Sequence, residues 1–406
     1  MQKLFQQIDK LQPEMVDSLL QLISIPAIGP ECGGQGEYKK AQTLNDILLK
    51  VGFDEIKKYD ATDNRVPVGK RPNIVAYMKG NPNNPRLWII THIDVVPSGE
   101  EKKWAVTKPF EPIVKDGCVF GRGSEDNGQS MVASIYAMKA LKQLGFQLNR
   151  TVILAFVSDE EQGSTMGIQH LIDQGVFHKD DMVLVPDSGN PKGDFIEVAE
   201  KSILWFKVKT YGKQIHASTP TKGLNAHRIG MQVSLAIDEM LHTKYNQYNN
   251  YFTEPTSTFE PTRKEENVET INIVPGEDIT FFDCRILPNY NIEDVLTEIR
   301  IITQDFEKKT GAKIELEIVQ NQTAPELVDC NSAMVILLQK TIKEARNINA
   351  TVGGIGGGTC AAFFRKNNIP AVVWSTIDEV PHQPDEYAKI KNMVEDAKVF
   401  ALLATK

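Results

Sequence analysis

Apolar residues recur at spacings of three and four over the first 25 positions, at Leu4, Ile8, Leu11, Met15, Leu19 and Leu22. That period predicts an amphipathic helix. A second helix is predicted over 37–51, stopped by Gly52. The pattern then becomes short continuous apolar runs: NIVAYM (73–78), LWIITHID (87–94), VILAFVS (152–158) and MVLVPD (182–187). Between the second and third lies a helical stretch near 128–145, with Met131, Ile135, Met138 and Leu141 on one face. Uninterrupted apolar strands alternating with helices predict an α/β fold around a mixed, mostly parallel sheet.

From about residue 200 the order changes. ILWFKVKTYG (203–212) reads as a strand, followed by a helix near 224–241 carrying Ile229, Val233, Ile237 and Leu241. Two strands are predicted next, ETINIVPG (269–276) and DITFFDCRI (278–286), joined by a Pro-Gly turn. A helix capped by Asn291 carries Val295, Ile299, Ile302 and Phe306, and a strand AKIELEIV (312–319) follows. The β-α-β-β-α-β order is that of a ferredoxin-like α+β unit. The α/β pattern resumes with a helix near 331–346 and the strand PAVVWST (370–376). The expected layout is a catalytic domain in two parts, 1–198 and 321–406, with a small domain inserted at 199–320.

A chain of 406 residues exceeds what one core usually serves, which agrees with two domains. The net charge of −8 argues against a nucleic-acid surface, which needs clustered Lys and Arg. Five widely spaced cysteines without a CxxC pair argue against a thiolate zinc cluster or a disulfide framework, and predict reduced thiols in a cytoplasm. No apolar run approaches the roughly 20 residues of a membrane span, and the polar N-terminal stretch does not read as a signal peptide.

Candidate chemistry gathers at the ends of the apolar runs, where α/β folds place ligands. His92 and Asp94 stand two apart after LWIIT, so His92 can bind a metal while Asp94 accepts the proton of its other ring nitrogen. Asp126 lies in the glycine-rich GRGSEDNG (121–128), at the turn into a helix. Asp159, Glu160 and Glu161 follow VILAFVS, and three adjacent acids repel each other unless a cation neutralises them. Asp187 ends MVLVP, and His382 lies in VPHQPDE just past PAVVWST. Each of these alone also reads as a cap, turn or surface residue. Together they place two histidines and several carboxylates on successive strand ends, the donor chemistry of a two-metal hydrolase. His170, His178, His227 and His242 lie in or beside helix-like segments and read as structural or surface residues.

These segments, taken in order, resemble a known family. THIDVVP (91–97), KWAVTKPFEPIVKDGCVFGRGSEDNGQ (103–129), SDEEQGS (158–164), PDSG (186–189), GKQIHASTP (212–220), NIVPG (272–276), DCRILP (283–288), GGGT (356–359) and PHQPDEY (381–387) span nearly the whole chain. The chain is thereby similar to the dinuclear zinc metallopeptidases and deacylases that include acetylornithine deacetylase, succinyl-diaminopimelate desuccinylase, aminoacylase and carboxypeptidase G. The resemblance implies two Zn²⁺ per chain, with Co²⁺ or Mn²⁺ as substitutes. His92 and Asp187 would hold one ion, Glu161 and His382 the other, and Asp126 would bridge them. Asp94 would orient His92, and Glu160 would be the general base and then the general acid. His216 would polarise the scissile carbonyl from the inserted domain, in this family often that of a partner subunit. Arg285 and Asn272 would bind a substrate carboxylate, with Gly357, Gly358 and Thr359 as further contacts.

The chain departs from the common pattern at Cys360, at Ser375-Thr376-Ile377-Asp378-Glu379 and at Glu200-Lys201-Ser202, all in segments expected to recognise substrate. The resemblance, rather than any single residue, makes an N-acyl amino acid the leading substrate class, with a dipeptide or a carboxypeptidase substrate as the alternative. A non-enzymatic metal- or peptide-binding protein would lack the base or a ligand, and every such position is present. The glycine run GGIGGGT (353–359) lacks the Lys-Ser/Thr of a P-loop. A homodimer through the inserted domain is expected, because pairing would cover its exposed sheet edge.

Overall fold

The computed structural model describes residues 1–378 and 380–406. Two compact units emerge, one made of Met1–Val198, Leu327–Val352 and Thr359–Lys406, the other of Ala199–Glu326 and Gly353–Gly358. The second unit thus runs past residue 320 and also takes in a segment that the sequence reading gave wholly to the catalytic domain. The GGGT run is divided, with Gly357 and Gly358 in the second unit and Thr359 in the first.

The larger sheet orders its strands Glu55–Lys58, Ile74–Met78, Val152–Val157, Leu87–His92, Met182–Val185, Ala371–Val373, Phe195–Glu200 and Thr351–Ile355. Its four central strands run parallel, from Val152–Val157 to Ala371–Val373, and antiparallel pairs flank them on both sides. The central strands are buried along their whole length, which is why they read as continuous apolar runs.

The helix Gln2–Ile23 buries Leu4, Ile8, Leu11, Met15, Leu19 and Leu22, the stripe expected from the sequence. The helix Tyr38–Val51 ends where Gly52 adopts φ 77°, a left-handed stop that favours glycine. The helix Ser130–Gln143 buries nearly every residue from Ser130 to Leu141, because it lies against the helices Gln2–Ile23 and Ile390–Ala404 as well as the sheet. On the other side, Trp88, Ile90, Ile153, Ala155, Val183 and Val185 pack with Ile168, Leu171 and Phe364 from the short helices Ile168–Asp173 and Ala361–Lys366.

The second unit has a four-stranded antiparallel sheet ordered Thr258–Lys264, Glu277–Ile286, Ser202–Tyr211 and Lys313–Gln322, with helices Ala226–Lys244 and Ile292–Thr310. Alternate residues Leu204, Phe206 and Val208 meet Val233, Ile237, Val295 and Ile299, and the rings of Phe206 and Phe282 stack at 4.8 Å. Asn291 caps its helix, with its side chain accepting from the Glu293 N–H at 2.8 Å. One expectation is corrected. Residues 269–276 do not form the second sheet strand; only Ile273–Val274 is extended, paired with Ile215–His216 in a separate ribbon. The sheet position belongs to Thr258–Lys264, an exposed edge strand containing Pro261, whose polar character hid it. Among the described residues no helix is long and apolar enough to cross a membrane.

Candidate metal centre and active site

His92 is the last residue of its strand and is 2% exposed. Its Nε2 lies 2.8 Å from Asp126 Oδ1 and 3.2 Å from Asp187 Oδ1. His382 Nε2 lies 3.2 Å from Asp126 Oδ2 and 3.1 Å from Glu161 Oε2. Two trios result, His92–Asp126–Asp187 and Asp126–Glu161–His382, each with donor atoms within 4.8 Å of one another. Asp126 belongs to both and turns a different oxygen to each histidine.

Local backbone makes this possible. The loop before Asp126 turns at Gly123, which adopts φ +80°. A side chain there would put its Cβ 2.5 Å from Val95 Cγ1, so the loop passes the His92–Val95 segment at a distance only glycine permits. Asp126 is extended rather than helical, with φ −110° and ψ 92°, immediately before the helix Ser130–Gln143. Glu160 and Glu161 follow Asp159, which takes φ 66° and turns the chain at the strand end.

Asp94 departs from its expected bond. The His92 Nδ1 contact, at 3.0 Å, is with the main-chain oxygen of Asp94, while the Asp94 carboxylate is 3.6 Å away, beyond hydrogen-bond reach. That carboxylate instead accepts from the N–H groups of Glu160 (3.1 Å) and Glu161 (3.0 Å). Asp94 therefore orients His92 through its backbone and grips the Glu160–Glu161 turn with its side chain. Asn127 was not anticipated: its Nδ2 donates to Asp187 Oδ1 at 2.6 Å and to Pro186 O at 2.9 Å. Its place beside Asp126 in the glycine-rich segment was the signal for it.

The charge balance fits cations. The Glu160 carboxyl is pushed well above the ordinary range by burial, and then by the negative charge of Asp187, Glu161 and Asp94. Burial and Asp126 push Glu161 up to about 7. Hydrogen bonds donated by its ring to the Asp126 and Glu161 carboxylates raise His382 to about 10. Carboxylates that gather protons in this way are short of positive charge, and two divalent ions at the two trios would supply it. Two cations stand behind the cluster. Lys40 is 1% exposed and is lowered to about 8 by burial, near Asp94, Glu386 and Asp126. Arg71 is fully buried against Glu37, with Asp159 at 3.4 Å. A third grouping, His178, Asp180 and Asp181, is different in kind, because Asp181 is already held by Arg86 and by Trp88 Nε1.

The other expected residues lie mostly in the second unit. His216 is exposed in the ribbon beside Asn272, whose main-chain oxygen accepts from Ala217. The Ser218 N–H donates to His216 Nδ1 at 3.1 Å, so the neutral ring carries its proton on Nε2. The Asn272 side chain accepts from Thr270 at 2.6 Å. Arg285 is held by Asp283 through Nε at 2.6 Å and Nη2 at 3.0 Å, with Nη1 reaching Gly356 O at 3.3 Å. Gly357 is partly covered and Gly358 exposed, in the same unit. Thr359, in the first unit, is 8% exposed and its hydroxyl accepts from the Ala361 N–H at 3.1 Å, at the start of a helix.

Comparison with known proteins gives this site its setting. Residues 88–406 match the model of peptidase family M20/M25/M40. An uncharacterised metallohydrolase of Methanocaldococcus jannaschii is 38% identical over 396 residues, covering 93% of this chain and 96% of its own. A succinyl-diaminopimelate desuccinylase of Wolbachia pipientis is 28% identical over 391 residues, covering 95% of this chain and 90% of its own. The solved structure of human carnosine dipeptidase 1 superposes with a TM-score of 0.77 at 17% identity, covering 100% of this chain and 98% of the other. The motifs, the fold and the family match agree, and the chain belongs to peptidase family M20/M25/M40 as a metallohydrolase.

Proposed function

We propose that this protein is a two-zinc amidohydrolase that cleaves the amide bond of a small carboxylate-bearing substrate, an N-acyl amino acid in the first instance. The observation that carries this reading is Asp126, whose two oxygens face His92 at 2.8 Å and His382 at 3.2 Å as a bridging carboxylate must. His92 and Asp187 would hold one zinc, Glu161 and His382 the other, and Asp126 both. Two sets of one imidazole and two carboxylates suit zinc and leave positions open for water and substrate. Bound there, the ions supply Lewis acidity and bring the pKa of a water toward neutrality.

Glu160 takes the proton from the attacking water and passes it to the leaving nitrogen, the two-way task of a general base that becomes a general acid. Asp94 fixes Glu160 by holding its backbone N–H. His216 donates from Nε2–H to the carbonyl oxygen, whose charge grows only in the transition state. Arg285 offers its remaining N–H groups to the substrate carboxylate, with the Asn272 amide and the backbone at Gly357 and Gly358 beside it. Thr359 adds a further contact. The protein is proposed to act as a homodimer through the second unit, where, among the described residues, neither edge strand of the four-stranded sheet pairs with a further strand and Met231 and Leu235 are exposed.

The desuccinylase relative favours an N-acyl substrate, and the structural likeness to a dipeptidase keeps a dipeptide as the second reading. A panel of N-succinyl and N-acetyl amino acids and dipeptides, assayed with zinc, separates them. Deacylation at least ten times faster than dipeptide hydrolysis is the expected result, and the reverse order overturns the substrate assignment.

A further inference from the structure

Two buried glutamates outside the expected site join the segments that carry Asp126 and His382. Glu386 is 0% exposed, four residues after His382. Its Oε2 accepts from Arg122 Nη1 at 2.7 Å and the Gly123 N–H at 2.9 Å, and its Oε1 from the N–H groups of Glu125 (3.0 Å) and Asp126 (3.1 Å). Glu125 is 2% exposed and points the other way. Its two oxygens accept from the N–H groups of Asp378 (2.6 Å) and Val380 (3.0 Å), on the approach to His382. Each segment thus lends a carboxylate to the backbone of the other. The grip continues strand pairing, since Tyr387–Lys389 runs antiparallel to Cys118–Phe120.

We propose that Glu125 and Glu386 form a reciprocal latch that sets the separation of Asp126 from His382, and are positioning residues for the second metal position. This rests on the two-metal reading above. A plain stabilising ion pair needs only Arg122 and Glu386. It does not explain why three of the four bonds to Glu386 come from backbone amides of the Asp126 loop. Nor does it explain Glu125, which pairs with no cation among the described residues and spends its charge on two amides. Glutamine cannot replace either residue fully, because its NH₂ group would face a backbone N–H. Groups that orient metal ligands in this way typically change affinity about 10–100-fold when altered.

The test combines hydrogen exchange on the metal-free protein with zinc titration, on wild type, Glu386→Gln and Glu125→Gln. In metal-free protein, Glu386→Gln should speed amide exchange at Gly123, Glu125 and Asp126 about tenfold or more, and Glu125→Gln should do so at Asp378 and Val380. Both variants should bind the second zinc about 10–100-fold more weakly than wild type, with kcat reduced and KM nearly unchanged. Wild-type affinity for two zinc ions in both variants overturns the latch while leaving the amidohydrolase reading intact. If wild type binds no zinc, the amidohydrolase reading fails instead, and unchanged exchange at these five amides then overturns the latch separately. Should Glu386→Gln not fold, its Arg122 being stranded, Glu125→Gln strands no cation and decides the matter by both readouts.

Discussion

Arg285, proposed to meet the substrate carboxylate, is already half engaged. Asp283 takes its Nε and one Nη2 hydrogen, and Gly356 O takes one hydrogen of Nη1. A guanidinium has five N–H donors in one plane, so the Nη1–Nη2 end keeps two for a second carboxylate. Asp283 orients the fork, and in the proposed function a substrate carboxylate would complete it. Charge-assisted hydrogen bonds contribute about 1.5–3 kcal/mol each. Arg285→Met should accordingly raise KM for a carboxylate substrate by at least about 10–150-fold, the value of one such bond, and leave KM for the corresponding carboxamide almost unchanged. Equal losses for both substrates would show that Arg285 does not meet the carboxylate.

Among the elements, the C-terminal helix Ile390–Ala404 carries the clearest pH dependence away from the proposed metal ligands. Asp396 is fully buried, and its carboxylate accepts from Thr376 N at 2.8 Å and Thr376 Oγ1 at 2.6 Å, with Arg346 at 3.4 Å. Burial pushes its carboxyl up to about 6 from an ordinary 3.8. Between those values the folded chain keeps a proton that the unfolded chain releases. The resulting stabilisation is fully present below pH 3.8 and is lost as pH rises through about 6. Relative to Asp396→Asn, which does not titrate, wild type should therefore lose up to about 3 kcal/mol of stability from pH 4 to pH 7. Thermal unfolding of both proteins across that range gives the comparison, and parallel profiles would contradict it.

Elements were legible in the sequence where burial imposed a period. The Gln2–Ile23 stripe and the four central strands follow directly from apolar spacing. The edge strand Thr258–Lys264 was not, because one exposed face and a proline erase the signal. The same division holds at the candidate site. His92, Glu161 and Asp187 sit at or just past the ends of readable strands, and the family motifs supplied the grouping with Asp126 and His382. The Asp94 grip on Glu160 and Glu161, and the bonds between Glu386 and residues 123–126, depend on chain segments meeting across long sequence separations, and no local pattern encodes them.

At the scale of the whole molecule, Glu160 and His216 belong to different compact units. The proposed homodimer makes a sharp claim about them: the active centre uses Glu160 of one chain and the partner subunit's His216. Glu160→Ala and His216→Ala should each be nearly inactive alone. Mixing them after subunit exchange should restore about a quarter of wild-type turnover, because half the dimers are mixed and each holds one intact centre. No recovery in a mixture shown to contain mixed dimers would place both residues in one chain's centre.

The central claim is that this chain holds two catalytic zinc ions and uses Glu160 as the base. Metal content and turnover of wild type and Glu160→Ala, determined on the same preparations, test it most directly. The account predicts about two zinc per chain in both proteins, with kcat lowered about 10²–10⁴-fold in the variant. Wild type without bound zinc, or a variant that retains full turnover, would contradict it.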